Sequence, residues 1–138
     1  DEEMEMIRRF REKDPLKETI PVLVQGELEE MRKEVKKVQV NQDIEKYILM
    51  LVRQTREHAS VELGASPRAA IALLRACQGS AYLHGRNFVI PDDVKSMAPI
   101  VLAHRIYLTI EASLTKTAEE VFNDIIQSVP APVEAGAI

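Results

Sequence analysis

The stretch Leu63–His84, LGASPRAAIALLRACQGSAYLH, decides how this chain is read. It opens on a compact helix-start signal. Gly64 and Ala65 permit a turn, Ser66 is a favoured N-cap, and Pro67 suits the first helical position, where its missing N–H costs nothing. Behind it, Ala69 to Leu74, Ala76, Cys77, Ala81 and Leu83 leave almost no polar face, which predicts a helix buried in the middle of a bundle. Gly85 is placed to end that helix. Arg68 stands apart. It lies in the first turn, where the helix dipole favours an anion over a cation. A guanidinium beside free backbone N–H groups suits an arriving phosphate. An arginine there is equally at home in solvent or paired with an acid such as Glu62, and spacing alone leaves both readings open.

Working outward to the N-terminus, Asn41 caps a helix that runs to His58, with Ile44, Ile48, Leu51, Val52 and Thr55 turned inward. Arg53 and Arg56 sit near its C-terminus, where the dipole favours cations. Val38-Gln39-Val40 alternates and predicts a very short strand. Gly26–Lys37 is a helix with Leu28, Met31, Val35 and Val38 as its apolar stripe and a solvated face of paired charges. Leu16–Gln25, bounded and interrupted by Pro15 and Pro21, reads as a connecting loop with Ile20, Val22, Leu23 and Val24 partly buried. Asp1–Lys13 is an amphipathic helix carrying Met4, Met6, Ile7 and Phe10, stopped near Asp14-Pro15. It begins inside a helical pattern, as a piece of a longer protein would.

Toward the C-terminus, Asn87–Ile90 is strand-like and a partner for Val38–Val40. Pro91 starts a short helix whose first turn holds Asp92 and Asp93. Capping and the dipole account for both acids without a metal or a general-acid pair. Pro99 is expected to bend or restart the chain, and Ile106–Ile110 to be extended. Thr117-Ala118-Glu119-Glu120 is a capping box for a last helix through Ile125, Ile126 and Val129, followed by a frayed tail from Pro130 to Ile138.

Composition agrees with a helical domain. The 138 residues are 46% hydrophobic but only 4% aromatic, with no Trp and five Gly, unlike a sandwich or barrel. A net charge of −4 provides no basic field for nucleic acid or an anionic membrane. No apolar run reaches the ~18–20 residues a bilayer span needs. One cysteine fits a reducing compartment. His58, His84 and His104 are scattered and Cys77 is mid-helix, so neither metal spacing nor a Cys/His nucleophile is present. The sequence contains no GxxxxGK[ST] phosphate loop.

The motifs Gly64-Ala65-Ser66-Pro67-Arg68-Ala69, Leu73-Leu74-Arg75-Ala76, Gly85-Arg86-Asn87-Phe88-Val89, Pro91-Asp92-Asp93-Val94-Lys95, Ala98-Pro99 and Leu102-Ala103-His104-Arg105 carry a resemblance. Together they resemble the C-terminal lid domain of MoxR-family AAA+ ATPases, most strongly from Val35 to Arg105. Two departures stand out: Ile90 where a Ser or Thr cap commonly precedes Pro-Asp-Asp, and Cys77-Gln78-Gly79 where Ala-rich sequence is common. Neither touches Arg68.

The resemblance implies an all-α fold, a small helical bundle with a minor short-strand pairing. It implies a linker helix and loop over 1–25 after a large ATPase domain, the lid over 26–116, and a C-terminal helix and tail over 117–138. It gives Arg68 the sensor-2 role beside the γ-phosphate, with Ser66, Pro67 and Arg56 as further nucleotide-facing candidates and Arg53 held with Arg56. ATP and Mg²⁺ are then cofactors of the intact protein, with none bound by this fragment alone. The implied partners are the large domain of the same chain, a homo-oligomeric ring (usually a hexamer), and von Willebrand factor A-domain proteins or metalloenzyme clients. The work would be chaperone-like maturation in the cytoplasm. The competing reading from residues alone is a free-standing helical interaction module with Arg68 merely solvated. A DNA-binding helical domain is disfavoured by the acidic balance.

Overall fold

A computed structural model describes residues 2–12, 14, 17 and 19–133. The chain divides into two compact units, 1–31 and 32–138.

The first unit contains α1 (Glu2–Glu12), with acids in its first turn, bases in its last and a Glu5–Arg9 ion pair. Its apolar residues Met4, Met6, Ile7 and Phe10 are exposed. The expectation that Ile20, Val22, Leu23 and Val24 are partly buried is corrected: all four are exposed, Val22 at 92%. The described residues of this short unit supply no second apolar layer to cover them. Gly26 takes φ +94, a left-handed conformation that favours glycine. There the chain turns into α2 (Glu27–Val35), and the Glu27 carboxylate accepts from the Val24 N–H. The helix ends before Lys37 and buries nothing, so the predicted stripe has no seat for Leu28 and Met31. Val38, just beyond it, is the stripe residue that enters the core.

The second unit is the bundle. Its elements are α3 (Gln42–Glu57), β1 (Val61–Leu63), α4 (Pro67–Leu83), α5 (Pro91–Leu102), a 3₁₀ turn (Ala103–Arg105), β2 (Tyr107–Leu108), α6 (Ile110–Ser113) and α7 (Ala118–Ser128). The all-α fold with a minor strand pairing is as expected. Asn41 caps α3, its side chain accepting from the Ile44 N–H at 2.8 Å. Helix α4 packs along α5 and against α3, while α7 closes over α3 and α5. Tyr47, Leu51, Leu73, Cys77, Val94, Leu102, Phe122 and Ile125 form the solvent-free centre. Each large side chain sealed there contributes about 1.5–3 kcal/mol of hydrophobic stabilisation.

The strand pairing differs in part from expectation. Gln39 and Phe88 form the anticipated contact, a single parallel bridge with Gln39 N–H donating to Asn87 O and Val89 N–H to Gln39 O. The two-stranded sheet itself is antiparallel and joins β1 to β2, a pair that the short polar-flanked VEL segment did not announce. Ile110 leaves the expected extended run and starts α6, because Thr109 caps that turn through the Ala112 N–H.

At Pro99 the chain does not restart: helix α5 runs through it to Leu102. Proline forfeits one intrahelical bond, but Ala98 and Leu102 on either side are fully buried, and their packing offsets that loss. The predicted capping box at Thr117 forms in full: Thr117 Oγ1 accepts from the Glu120 N–H, and the Glu120 carboxylate accepts from the Thr117 N–H. Of the C-terminal tail, residues 134–138 lie outside the described residues. Among the described residues no helix is long and apolar enough to cross a membrane.

Candidate functional site

The turn Gly64–Arg68 is pinned from behind. Thr55, fully buried in the last turns of α3, uses one hydroxyl twice: it donates to Val52 O at 2.7 Å and accepts from the Ala65 N–H at 2.9 Å. Gly64 lies directly on α3. A Cβ there would fall 2.5 Å from Arg56 Cγ and 2.7 Å from both Arg56 Cα and N, so no larger residue fits without displacing backbone. The turn is thus held against the carboxyl end of α3, and α4 starts where Ser66 takes an extended N-cap conformation (φ −71, ψ 159) ahead of Pro67.

The open side of the turn is unlike its back. Ser66, Pro67 and Arg68 are all exposed. The Ser66 hydroxyl makes no capping bond, and the first turn of α4 contains no acid. Among the described residues Arg68 has no ion pair, so the Glu62 pairing considered from sequence does not form. A helix N-terminus with no side-chain cap, no internal anion and a free guanidinium is chemically matched to an anion arriving from outside. Arg56 lies against this region at Gly64, while Arg53, one turn earlier, is exposed.

The opposite end of α4 carries a second arginine. Gly85 takes φ +71 at the C′ position, as predicted. Arg86 then grips Asp93 with both guanidinium nitrogens at 2.7 Å and donates to Phe88 O. Asp93 also accepts from Ser80 Oγ at 2.9 Å and from the Ile90 N–H at 3.0 Å. The Ile90 side chain has no oxygen to offer, and only its carbonyl accepts from the Asp93 N–H, at 3.1 Å, so Asp93 supplies the side-chain cap at this helix start. Burial works to raise the Asp93 pKa. The bonds from Arg86, the Ile90 N–H and Ser80, with the Arg86 charge, outweigh it and hold the group below its ordinary value. Capping alone therefore understates Asp93: it is the centre of a buried ion pair. In the sequence Arg86 is one member of the Gly85–Val89 motif; a basic residue seven positions before an acid at a helix start is compatible with a pair, which only the fold brings together.

Other chemistry is disfavoured by what surrounds each group. Burial, then the nearby Asp93 charge, pushes the Cys77 thiol up to about 12, far from a thiolate at neutral pH. His58 Nδ1 accepts from the Ser60 N–H, and His84 Nδ1 contacts Ser80 O. Among the described residues no three His, Cys, Asp or Glu side chains are grouped to hold a metal ion. A cleft of about 270 Å³ lies between the carboxyl end of α4 and residues 34–38, lined by Glu34, Lys37, Val38, Tyr82, Gly85, Arg86 and Asn87.

Comparison with known proteins places this geometry. Residues 53–125, more than half the chain, match the family model described as the AAA lid domain. Relatives include the chaperone MoxR1 of Mycobacterium tuberculosis, 32% identical over 142 residues, and the protein MoxR of Methylorubrum extorquens, 35% identical over 74. The chain belongs to the AAA lid domain family, in its MoxR-type branch. The uncharacterized protein YeaC of Bacillus subtilis is 37% identical over 138 residues, or 99% of this chain. A crystal structure from Cytophaga hutchinsonii with a provisional ATPase assignment superposes with a TM-score of 0.70 at 33% identity, covering 75% of this lid and 34% of that chain. The lid spans 43% of YeaC, 37% of MoxR1 and 22% of the Methylorubrum protein. The matched span begins at Arg53, so the Thr55–Ala65 clamp and the Gly64–Arg68 turn both lie inside it.

Proposed function

We propose that this lid serves an ATP-hydrolysing domain of the same protein and that Arg68 is its sensor-2 arginine. The observation that carries the reading is the cation at the uncapped start of α4, exposed, without an ion pair among the described residues, and pinned from behind by Thr55 and Gly64. The residues fit one side of a triphosphate site: Arg68 supplies charge-assisted donors to a terminal phosphate, Ser66 and Pro67 shape the turn, and Arg56 flanks it. Bound Mg²⁺-ATP supplies the phosphoryl group and its counter-charge; the phosphate loop and metal ligands lie outside this chain. Arg68 neutralises charge beside the γ-phosphate and reports whether that phosphate is present. The first unit acts as the link from the large domain. A cytoplasmic ring, usually hexameric, that remodels or matures client proteins, with von Willebrand factor A-domain proteins or metalloenzymes among its partners, follows from the MoxR resemblance.

The test is ATP turnover by the intact protein. Arg68→Ala removes a charged hydrogen bond of about 1.5–3 kcal/mol, so turnover should fall about 10- to 100-fold with assembly and folding retained. Parent-like turnover in a correctly assembled variant would overturn the reading.

A further inference from the structure

We propose that Thr55 is a positioning residue for Arg68, fixing through its bond to the Ala65 N–H the direction in which the turn presents the arginine; this rests on the nucleotide-facing reading of Arg68. Thr55 is fully buried in α3, and its hydroxyl both donates to Val52 O and accepts from the Ala65 N–H. Ala65 is itself fully buried, so without Thr55 its N–H has no water to turn to. Relief then requires the turn to move. The Gly64 contact with the Arg56 backbone leaves no room toward α3, so the movement is outward. Only Ser66 and Pro67 separate Ala65 from Arg68, and proline fixes its own φ. A rotation at Ala65 is therefore passed to the arginine with little slack to absorb it. Arg56 and the Thr55 hydroxyl belong to the same helical turn, which makes the carboxyl end of α3 the platform for the nucleotide-facing turn.

Steady-state ATPase kinetics of the intact protein test this with Thr55→Val, Thr55→Ser, Arg68→Ala and the Thr55→Val/Arg68→Ala double variant, each normalised to folded protein by thermal unfolding. Thr55→Val keeps the volume and deletes the acceptor. Its kcat should fall about 5- to 10-fold with KM for ATP little changed, as expected for a misplaced group that acts in the transition state. Thr55→Ser should retain parent kcat. Adding Thr55→Val to Arg68→Ala should cost nothing further. If Thr55→Val does not fold, Thr55→Cys weakens the same acceptor at similar volume. An unchanged kcat for Thr55→Val beside an impaired Arg68→Ala overturns the positioning role and leaves the Arg68 reading intact. A loss that persists undiminished in the double variant also overturns it. A parent-like Arg68→Ala removes the reading on which it rests.

Discussion

Helix α4 has an arginine at each end, and the fold treats them in opposite ways. Arg86, past the carboxyl end, is held bidentately by a carboxylate that also binds Ser80 and caps the next helix. Arg68, in the first turn, has backbone support behind it and no ion pair among the described residues. An arginine saturated by its own fold cannot meet a ligand. One that is positioned but left exposed can. One end of the helix is tied into the fold, and on the proposed reading the other is free to meet the nucleotide.

The comparison is sharpened most by Asp93→Asn. The side chain of Asp93 is 3% exposed and that of Arg86 24%, so the variant leaves a half-buried guanidinium without its counter-charge. A loss of about 3 kcal/mol is expected, read as a lower denaturation midpoint in urea. Little change would place the stabilisation of this end elsewhere.

Acid should erode the same interaction in the parent chain. The folded-state pKa of Asp93 lies below its ordinary value of 3.8, so its contribution is fully present above that value and is lost as pH falls through the lower folded value. The stability gap between parent and Asp93→Asn should therefore be constant at neutral pH and narrow below about pH 4. A gap that widens in acid would reverse the assignment.

Arg68→Ala should have the smallest effect on folding, within about 0.5 kcal/mol, because an exposed side chain with no ion pair among the described residues is removed. Calorimetry on this chain measures it. A cost comparable to that of Asp93→Asn would mean that the two ends of α4 are alike after all, and that Arg68 belongs to the framework.

Much of the frame was legible because it depends on neighbours in sequence. The caps at Asn41 and Thr117, the Ser66-Pro67 start and the Gly85 stop are set within a few residues, whereas the all-round apolarity of α4 overstated its burial: Leu73, Cys77 and Ala81 are sealed, but Ile71 and Leu83 are exposed. Arg68 was legible for the same reason: its place in a first turn is a local fact. One distant pairing was legible, between Val38–Val40 and Asn87–Ile90, but the others were not. The β1–β2 sheet, the meeting of Arg86 with Asp93 and the passage of α5 through Pro99 depend on where the helices pack, since that packing decides which donors meet which acceptors and which proline is tolerated. Thr55 is the sharpest case. As a letter it is one member of a buried helical series, and only the fold of α4 onto α3 brings its hydroxyl to the Ala65 N–H ten residues away. The sequence determined an arginine at the head of the central apolar helix; the tertiary structure decided that it has no ion pair among the described residues and that its turn is held in place from behind.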